Sequence, residues 1–246
     1  MSETPWIILT LRRTGGTSLT TFLAEISSYP TVGHEPFNVD RIYGQITRDF
    51  QSTGDVEAME EGISDALSTL PNIKHCVEII PLEQTRALID EAQKRGYRFM
   101  VLTRRDEARR LASLFLAVAT GAWGPEHAAK IYPKIMSGEI EPTPIDLKNV
   151  RHRVRTDFFS IGRTLSLLRN REIDYDWHLF EELYFGDTPI EEQARSIATT
   201  LGVDIAPDDA RLSKFSKNEG QKSGNIAPYV KNYDEAVAEL RKLCTQ

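Results

Sequence analysis

Cysteine is scarce in this chain: 2 of 246 residues, Cys76 and Cys244. Two thiols cannot form a disulfide framework, so a reducing compartment, the cytoplasm, is expected. Both are read as ordinary thiols. No apolar run approaches the roughly 20 residues that a membrane-spanning helix needs. No basic segment followed by an apolar stretch opens the chain. Neither a membrane span nor a signal peptide is therefore expected. There is no internal repeat and no low-complexity tract. Basic charge is in deficit, with 30 Lys and Arg against 36 Asp and Glu. Nucleic-acid binding usually rests on a basic face and is not expected. What remains is 40% hydrophobic residues over 246 positions. That is enough for a single domain spanning 1–246 with a full core.

The chain is organised around residues 6–26, WIILTLRRTGGTSLTTFLAEI. Residues 6–11 form an apolar run that reads as a strand buried on both faces, as in a parallel sheet. Gly15 and Gly16 break it. Leu19, Phe22, Leu23 and Ile26 then recur at helical spacing. A strand, a glycine turn and a helix N-terminus present unpaired backbone N–H groups and a helix dipole, the makings of an anion site. Thr14, Thr17 and Ser18 add hydroxyls, and Arg12 and Arg13 add charge.

A Walker A loop needs G-x-x-x-x-G-K-[ST]. Counting back from Gly16 puts Leu11 where the first glycine belongs, and Thr17 stands where the lysine belongs. Magnesium-assisted phosphoryl transfer is poorly served, and no metal is expected. RRTGGTSL instead resembles the 5′-phosphosulfate loop of sulfotransferases that use 3′-phosphoadenosine-5′-phosphosulfate (PAPS). There a Lys or Arg precedes a short Gly/Ser/Thr turn. The resemblance implies that Arg13, Thr14, Gly15, Gly16, Thr17 and Ser18 bind the cofactor, and that Arg13 also acts in catalysis.

The loop at residues 27–38 carries His34 and Glu35. Its HEPF resembles the Glu-containing loop of the bacterial branch of that family acting on trehalose, which implies Glu35 as general base and His34 as a weaker candidate. In the cytosolic eukaryotic branch the base is a His two residues before a Pro. Ile79 stands at that place before Pro81. Glu78 is a further candidate.

Residues 75–80 read as a second strand, followed by a helix over 82–95 stopped by Gly96. Residues 98–103 read as a third strand and 174–180 as a fourth, all buried. After the third, Asp106 is a plausible N-cap, and Leu111, Leu114, Phe115 and Val118 give the inward face of a helix. Arg105 at the strand end and Ser113 eight positions on have the spacing of the family's 3′-phosphate pair. The chemistry is sound, since a phosphate dianion needs charge and hydroxyl donors together. Arg109 and Arg110 are read as a solvated basic helix face.

Residues 41–69 are expected to be helical in their second half. Residues 124–149, with four prolines, are expected to be an irregular insertion over the acceptor. Residues 151–168 are read as an amphipathic helix with Val154, Phe158, Ile161, Leu165 and Leu168 inward. Its basic start, RHRVR, is read as a solvated end. Thr188 and Glu191 are expected to form a capping box with Pro189 at the first helical position. Residues 213–225, with Lys214, Lys217 and Lys222, resemble a mobile cofactor lid. Asn232 and Glu235 are expected to cap a last helix over 236–243.

Strands alternating with helices imply an α/β, three-layer domain with a central, largely parallel sheet and a P-loop-like phosphate site. The resemblance implies sulfuryl transfer from PAPS, leaving PAP, to a hydroxyl of a small-molecule, carbohydrate or lipid acceptor. The alternatives are a nucleotide kinase or hydrolase with a degenerate Walker A, and a non-catalytic nucleotide-binding module. Oligomeric state is open.

Overall fold

The apolar run at the start of the chain, polar only at Thr10, becomes an inner strand buried on both faces. The computed structural model describes residues 2–216 and 223–245. In chain order its elements are β1 (Trp6–Thr10), α1 (Gly16–Ile26), α2 (Gly44–Thr53), α3 (Val56–Ala66), β2 (Ile73–Cys76), α4 (Leu82–Lys94), β3 (Arg98–Thr103), α5 (Glu107–Thr120), α6 (Pro125–Met136), α7 (Leu147–Asn170), β4 (Tyr175–Leu179), α8 (Phe180–Phe185), α9 (Ile190–Thr200) and α10 (Tyr233–Cys244). Short 3-10 turns lie between α9 and α10. The sheet runs β2-β1-β3-β4, and each pairing is parallel.

The chain divides into two compact units. The first is Met1–Thr103 with Phe159–Ser216; the second is Arg104–Phe158 with Lys217–Gln246. The first unit holds the sheet, and side-chain alternation along the strands builds a core on each face. Ile7, Leu9, Phe99 and Val101 pack with Met59 and Ile63 of α3, Leu88 of α4 and Leu168 of α7. Trp6, Ile8, Met100 and Leu102 pack with Leu19 and Phe22 of α1 and Ile197 of α9. The second unit has its own core, in which Leu111 and Leu114 of α5, Tyr132 of α6, Val150 of α7 and Leu240 of α10 meet.

Several local expectations are corrected. β2 starts and ends earlier than expected. Its register with β1 closes at Thr10–Cys76. Beyond it the Val77 N–H donates to Thr10 O at 2.9 Å and the Ile79 N–H to Cys76 O at 3.3 Å. The chain turns there, so Glu78 lies in a turn. β4 is an edge strand, and its Trp177 is 56% exposed. Residues 41–69 hold two helices. The expected irregular insertion contains α6. Pro125 sits in its first turn, where the N–H it lacks has no helical partner to lose, and Ala128, Tyr132 and Ile135 are its buried face. Val118 and Phe158 point outward.

Pro189 is the N-cap of α9 rather than its first residue, and no side chain caps that helix. Asn232 does not cap α10 with its side chain. It grips Ile145 instead, accepting from its N–H at 2.9 Å and donating to its O at 2.8 Å. Of the expected lid, residues 217–222, including Lys217 and Lys222, lie outside the described residues. Lys214 ends a 3-10 turn (Ala210–Lys214). Phe215 is buried against Phe22 and Tyr184, with ring centroids 5.7 and 5.2 Å away.

Candidate functional site

At the carboxyl end of β1 the Thr10 hydroxyl donates to Leu102 O at 2.8 Å, tying the strand end to β3. The chain then bends through two left-handed residues, Arg13 (φ 69) and Gly15 (φ 86), before α1 begins. Gly15 is the N-cap and offers no side-chain cap to the first-turn amides. A Cβ there would lie 2.4 Å from Phe180 Cε2. The Tyr184 hydroxyl donates to Gly15 O at 3.1 Å. Aromatic side chains of α8 thus seat the turn from one side.

The loop hydroxyls divide. Thr14 is buried and donates back to Leu11 O at 2.7 Å. Ser18 is buried too; its Oγ donates to Lys214 O at 3.2 Å and accepts from the Ser216 N–H at 2.9 Å. Both tie the loop to its surroundings. Thr17 and Gly15 are the exposed positions of the turn. Under Gly16 runs the stem of Lys74, whose Cδ would be 3.4 Å from an added Cβ.

Lys74 comes from β2, opposite Ile8 in the register, and its ammonium meets Glu35. Nζ donates to Glu35 Oε1 at 3.1 Å, and the Cys76 thiol donates to the same oxygen at 3.2 Å. The Glu35 N–H donates to Lys74 O at 3.1 Å, with Glu35 itself left-handed at φ 58. Burial pushes the Glu35 carboxyl up. The Lys74 ammonium, the Cys76 and Lys74 hydrogen bonds and Arg12 outweigh it and hold the carboxyl below its ordinary range. Burial pulls the Lys74 ammonium down, but Cys76, Glu35 and Glu78 hold it above its usual value. The Cys76 thiol is pushed well up, chiefly by burial.

His34 is half-buried. Burial, then Lys74 and Arg41, lower its pKa against the pull of Glu35. Its Nδ1 is buried without a hydrogen-bond partner among the described residues. Glu78 Oε1 accepts from the Arg12 N–H at 2.9 Å and from Arg12 Nε at 3.1 Å, and the Glu78 side chain is fully buried. That leaves Glu35, at 18% side-chain exposure, as the carboxylate with surface to offer a substrate. The first unit therefore brings together the loop at 12–18, Glu35 and His34.

Arg105 and Ser113 belong to the second unit. Arg105 is exposed, and the Asp106 carboxylate caps α5 by accepting from the Arg109 N–H at 2.9 Å. Ser113 is half-buried, with its Oγ 3.2 Å from Ser223 Oγ. The expectation for Arg110 is corrected: its side chain is fully buried. It pairs with Glu107 at 2.7 Å and with Asp157 at 2.6 Å.

Three residues of consequence were missed in the sequence: Lys74, Cys76 and Arg110. Two of them, Lys74 and Arg110, left a signal. A lysine inside the four-residue strand IKHC is out of place unless paired. Arg110 lies four and seven residues before the buried Leu114 and Ala117, on the inner face of α5.

No protein-family model matches this sequence, and no curated protein matches it.

Proposed function

We propose that this chain is a sulfotransferase that moves a sulfuryl group from PAPS to a hydroxyl of a small-molecule, carbohydrate or lipid acceptor. One observation carries the reading. Arg13 and Glu35, singled out from the sequence as catalytic, are two of the four non-glycine residues with positive φ among the described residues. Strained backbone of this kind costs about 1–3 kcal/mol and collects at functional sites.

The uncapped first turn of α1, the exposed Thr17 and a Gly15 with no room for a side chain fit a phosphosulfate group drawn to the amides. When bound, that group supplies an electrophilic sulfur and a phosphate leaving group. Arg13 and the amides of Gly15 to Ser18 stabilise charge on the departing oxygen. Glu35 is ionised at neutral pH because its pKa lies below the ordinary range. It accepts the acceptor's proton as the new O–S bond forms. Lys74 and Cys76 occupy Oε1, so Oε2 is the basic atom. In this reading no metal takes part, and the enzyme works in a reducing cytoplasm. Two free thiols suit that compartment, and no described helix is long and apolar enough to cross a membrane.

Thermal shift tests the reading. PAP at about 100 times its dissociation constant stabilises by roughly 2.7 kcal/mol, and ATP with magnesium does not. Stabilisation by ATP with magnesium alone overturns it. Glu35→Gln then separates an enzyme from a binding module: turnover falls by about 10² to 10⁴ while PAP affinity stays within about twofold.

A further inference from the structure

The two edges of the sheet are treated differently. The outer edge of β2 is closed by the loop after α1. There the Val32 N–H donates to Asn72 O at 3.4 Å and the Glu35 N–H to Lys74 O at 3.1 Å. At the other edge β4 pairs with β3 on one side alone. Among the described residues no backbone hydrogen bond reaches the outer side of β4. An edge strand left this way presents a row of unpaired N–H and C=O groups, a template for another strand.

The usual guards against such pairing are missing from β4. Its sequence, YDWHL, has no proline and no lysine. Its register with β3 runs through all five residues without a bulge. Its one carboxylate is already matched, since Arg98 Nε and Nη2 donate to Asp176 at 2.9 and 3.0 Å. Burial lowers the pKa of His178 against the pull of Asp176, so the strand carries no unmatched charge at neutral pH. Trp177 is held in place. Its indole N–H donates to Thr103 Oγ1 at 2.7 Å, which fixes the ring while leaving it exposed. A fixed, exposed Trp is the kind of side chain that anchors an interface.

The occupant follows from the strand's own pattern. Tyr175, Trp177 and Leu179 share the face of Phe99 and Val101, whereas Asp176 and His178 share the face of Met100 and Leu102. Let two copies of β4 meet antiparallel about a two-fold axis at Trp177. On the first face Tyr175 then lies opposite the partner's Leu179, and Trp177 opposite the partner's Trp177. On the second face Asp176 lies opposite the partner's His178. An axis one residue earlier sets Asp176 against the partner's Asp176. An axis one residue later sets His178 against the partner's His178 and leaves Tyr175 with no strand residue opposite. Aromatic pairs directly opposite stabilise a sheet and like charges destabilise it. The axis at Trp177 is the one that matches all five residues.

We propose that β4 pairs with β4 of a second copy of this chain, antiparallel and centred on Trp177, so that two sheets become one continuous sheet. Such an interface uses the same patch on both copies and closes on itself. The inference is independent of the transferase reading, since no β4 residue belongs to the proposed catalytic machinery.

Sedimentation velocity on the full chain, from about 1 to about 100 µM, yields the mass of a dimer at the upper end. Trp177→Asp sets two carboxylates against each other at the axis and weakens association at least about tenfold. Ile42→Asp changes an apolar residue outside β4 that is 70% exposed, and leaves association within about twofold. Cross-linking in a Cys244→Ser background reads the register, and does so even if Trp177→Asp melts early. Trp177→Cys brings two Cα atoms about 4.5–5.5 Å apart, within disulfide reach. Leu179→Cys leaves them roughly 14 Å apart, four residues out of register. Mild oxidation therefore yields covalent dimers of Trp177→Cys and not of Leu179→Cys. A chain still monomeric at about 100 µM overturns the proposal and leaves the edge to a strand of another protein. Undiminished association in Trp177→Asp, an equal loss in Ile42→Asp, or cross-linking of Leu179→Cys as fast as of Trp177→Cys also overturns it.

Discussion

Lys74 Nζ lies 3.1 Å from Glu35 Oε1, and neither side chain is more than a fifth exposed. The pair joins the middle of β2 to the loop after α1, across 39 residues of sequence. Each partner's pKa records the other. Glu35 is depressed, so its stabilisation is present above its unfolded pKa and fades as pH falls through the folded one. Lys74 is raised, so its stabilisation is present below its unfolded pKa and fades as pH rises through the folded one. Lys74→Met leaves the carboxylate without its counter-charge. The Glu35 pKa then rises above its present value, and stability at neutral pH falls by about 3 kcal/mol. Carbon-detected NMR titration of Glu35 and urea unfolding read the two effects. An unchanged Glu35 pKa contradicts the pairing.

Cys76 shares that oxygen. Cys76→Ala removes one hydrogen bond from Oε1 and raises the Glu35 pKa by less than Lys74→Met does, whereas Cys76→Ser restores a donor. In the transferase reading, the acid limb of the pH–rate profile moves upward in the alanine variant and returns toward its starting place with serine. Profiles identical in all three proteins remove Cys76 from the positioning of Glu35.

Gly15 is constrained twice, by φ 86 and by the Phe180 ring, 2.4 Å from where a Cβ would stand. Gly15→Ala therefore costs about 1–3 kcal/mol, of which left-handed backbone explains about 1–2. The remainder is steric, so Phe180→Leu in the same chain recovers part of it. A double-mutant cycle in urea unfolding measures the coupling. Strict additivity shows that the ring is not the obstacle.

Arg110 has no exposed surface and faces two carboxylates. Burial, opposed by Arg110 and reinforced by Asp157, raises the Glu107 pKa. Arg110→Met strands both acids in the second unit's core and destabilises it by about 3–5 kcal/mol. Arg109→Met, one residue away on the exposed side, changes stability by less than about 0.5 kcal/mol. Similar losses for the two variants contradict the burial.

His75 is buried with Nε2 3.2 Å from Thr85 Oγ1. Desolvation, against the pull of Glu35, lowers its pKa to about 4. Between about pH 6.5 and 4 the unfolded chain binds a proton there and the folded chain does not. Stability therefore falls as pH drops through that window, by on the order of 3 kcal/mol across it. His75→Gln flattens this part of the stability–pH curve. An equally steep curve in the variant assigns the acid sensitivity to another group.

The sequence alone determined what depends on neighbours along the chain. The largely apolar runs at 6–11 and 99–102 specified the inner strands, because a strand buried on both faces carries a polar side chain only where a partner satisfies it. Gly15 and Gly96 marked turns, because left-handed backbone is open to glycine at little cost, and Asp106 marked the start of α5. Arg13 and Glu35 were visible as residue types in a loop, though not the left-handed backbone each adopts.

Tertiary structure decided the rest. Lys74 reaches Glu35 only because β2 lies beside β1 in a register that puts it opposite Ile8. The same register, ending at Cys76, moved Glu78 out of the strand and onto Arg12. Arg110 looked like one of several surface arginines until Asp157, 47 residues away, gave it a reason to be buried. A charge is tolerated inside a protein only where a partner stands, and which partner stands there is settled by how strands and helices pack, which local sequence pattern does not encode.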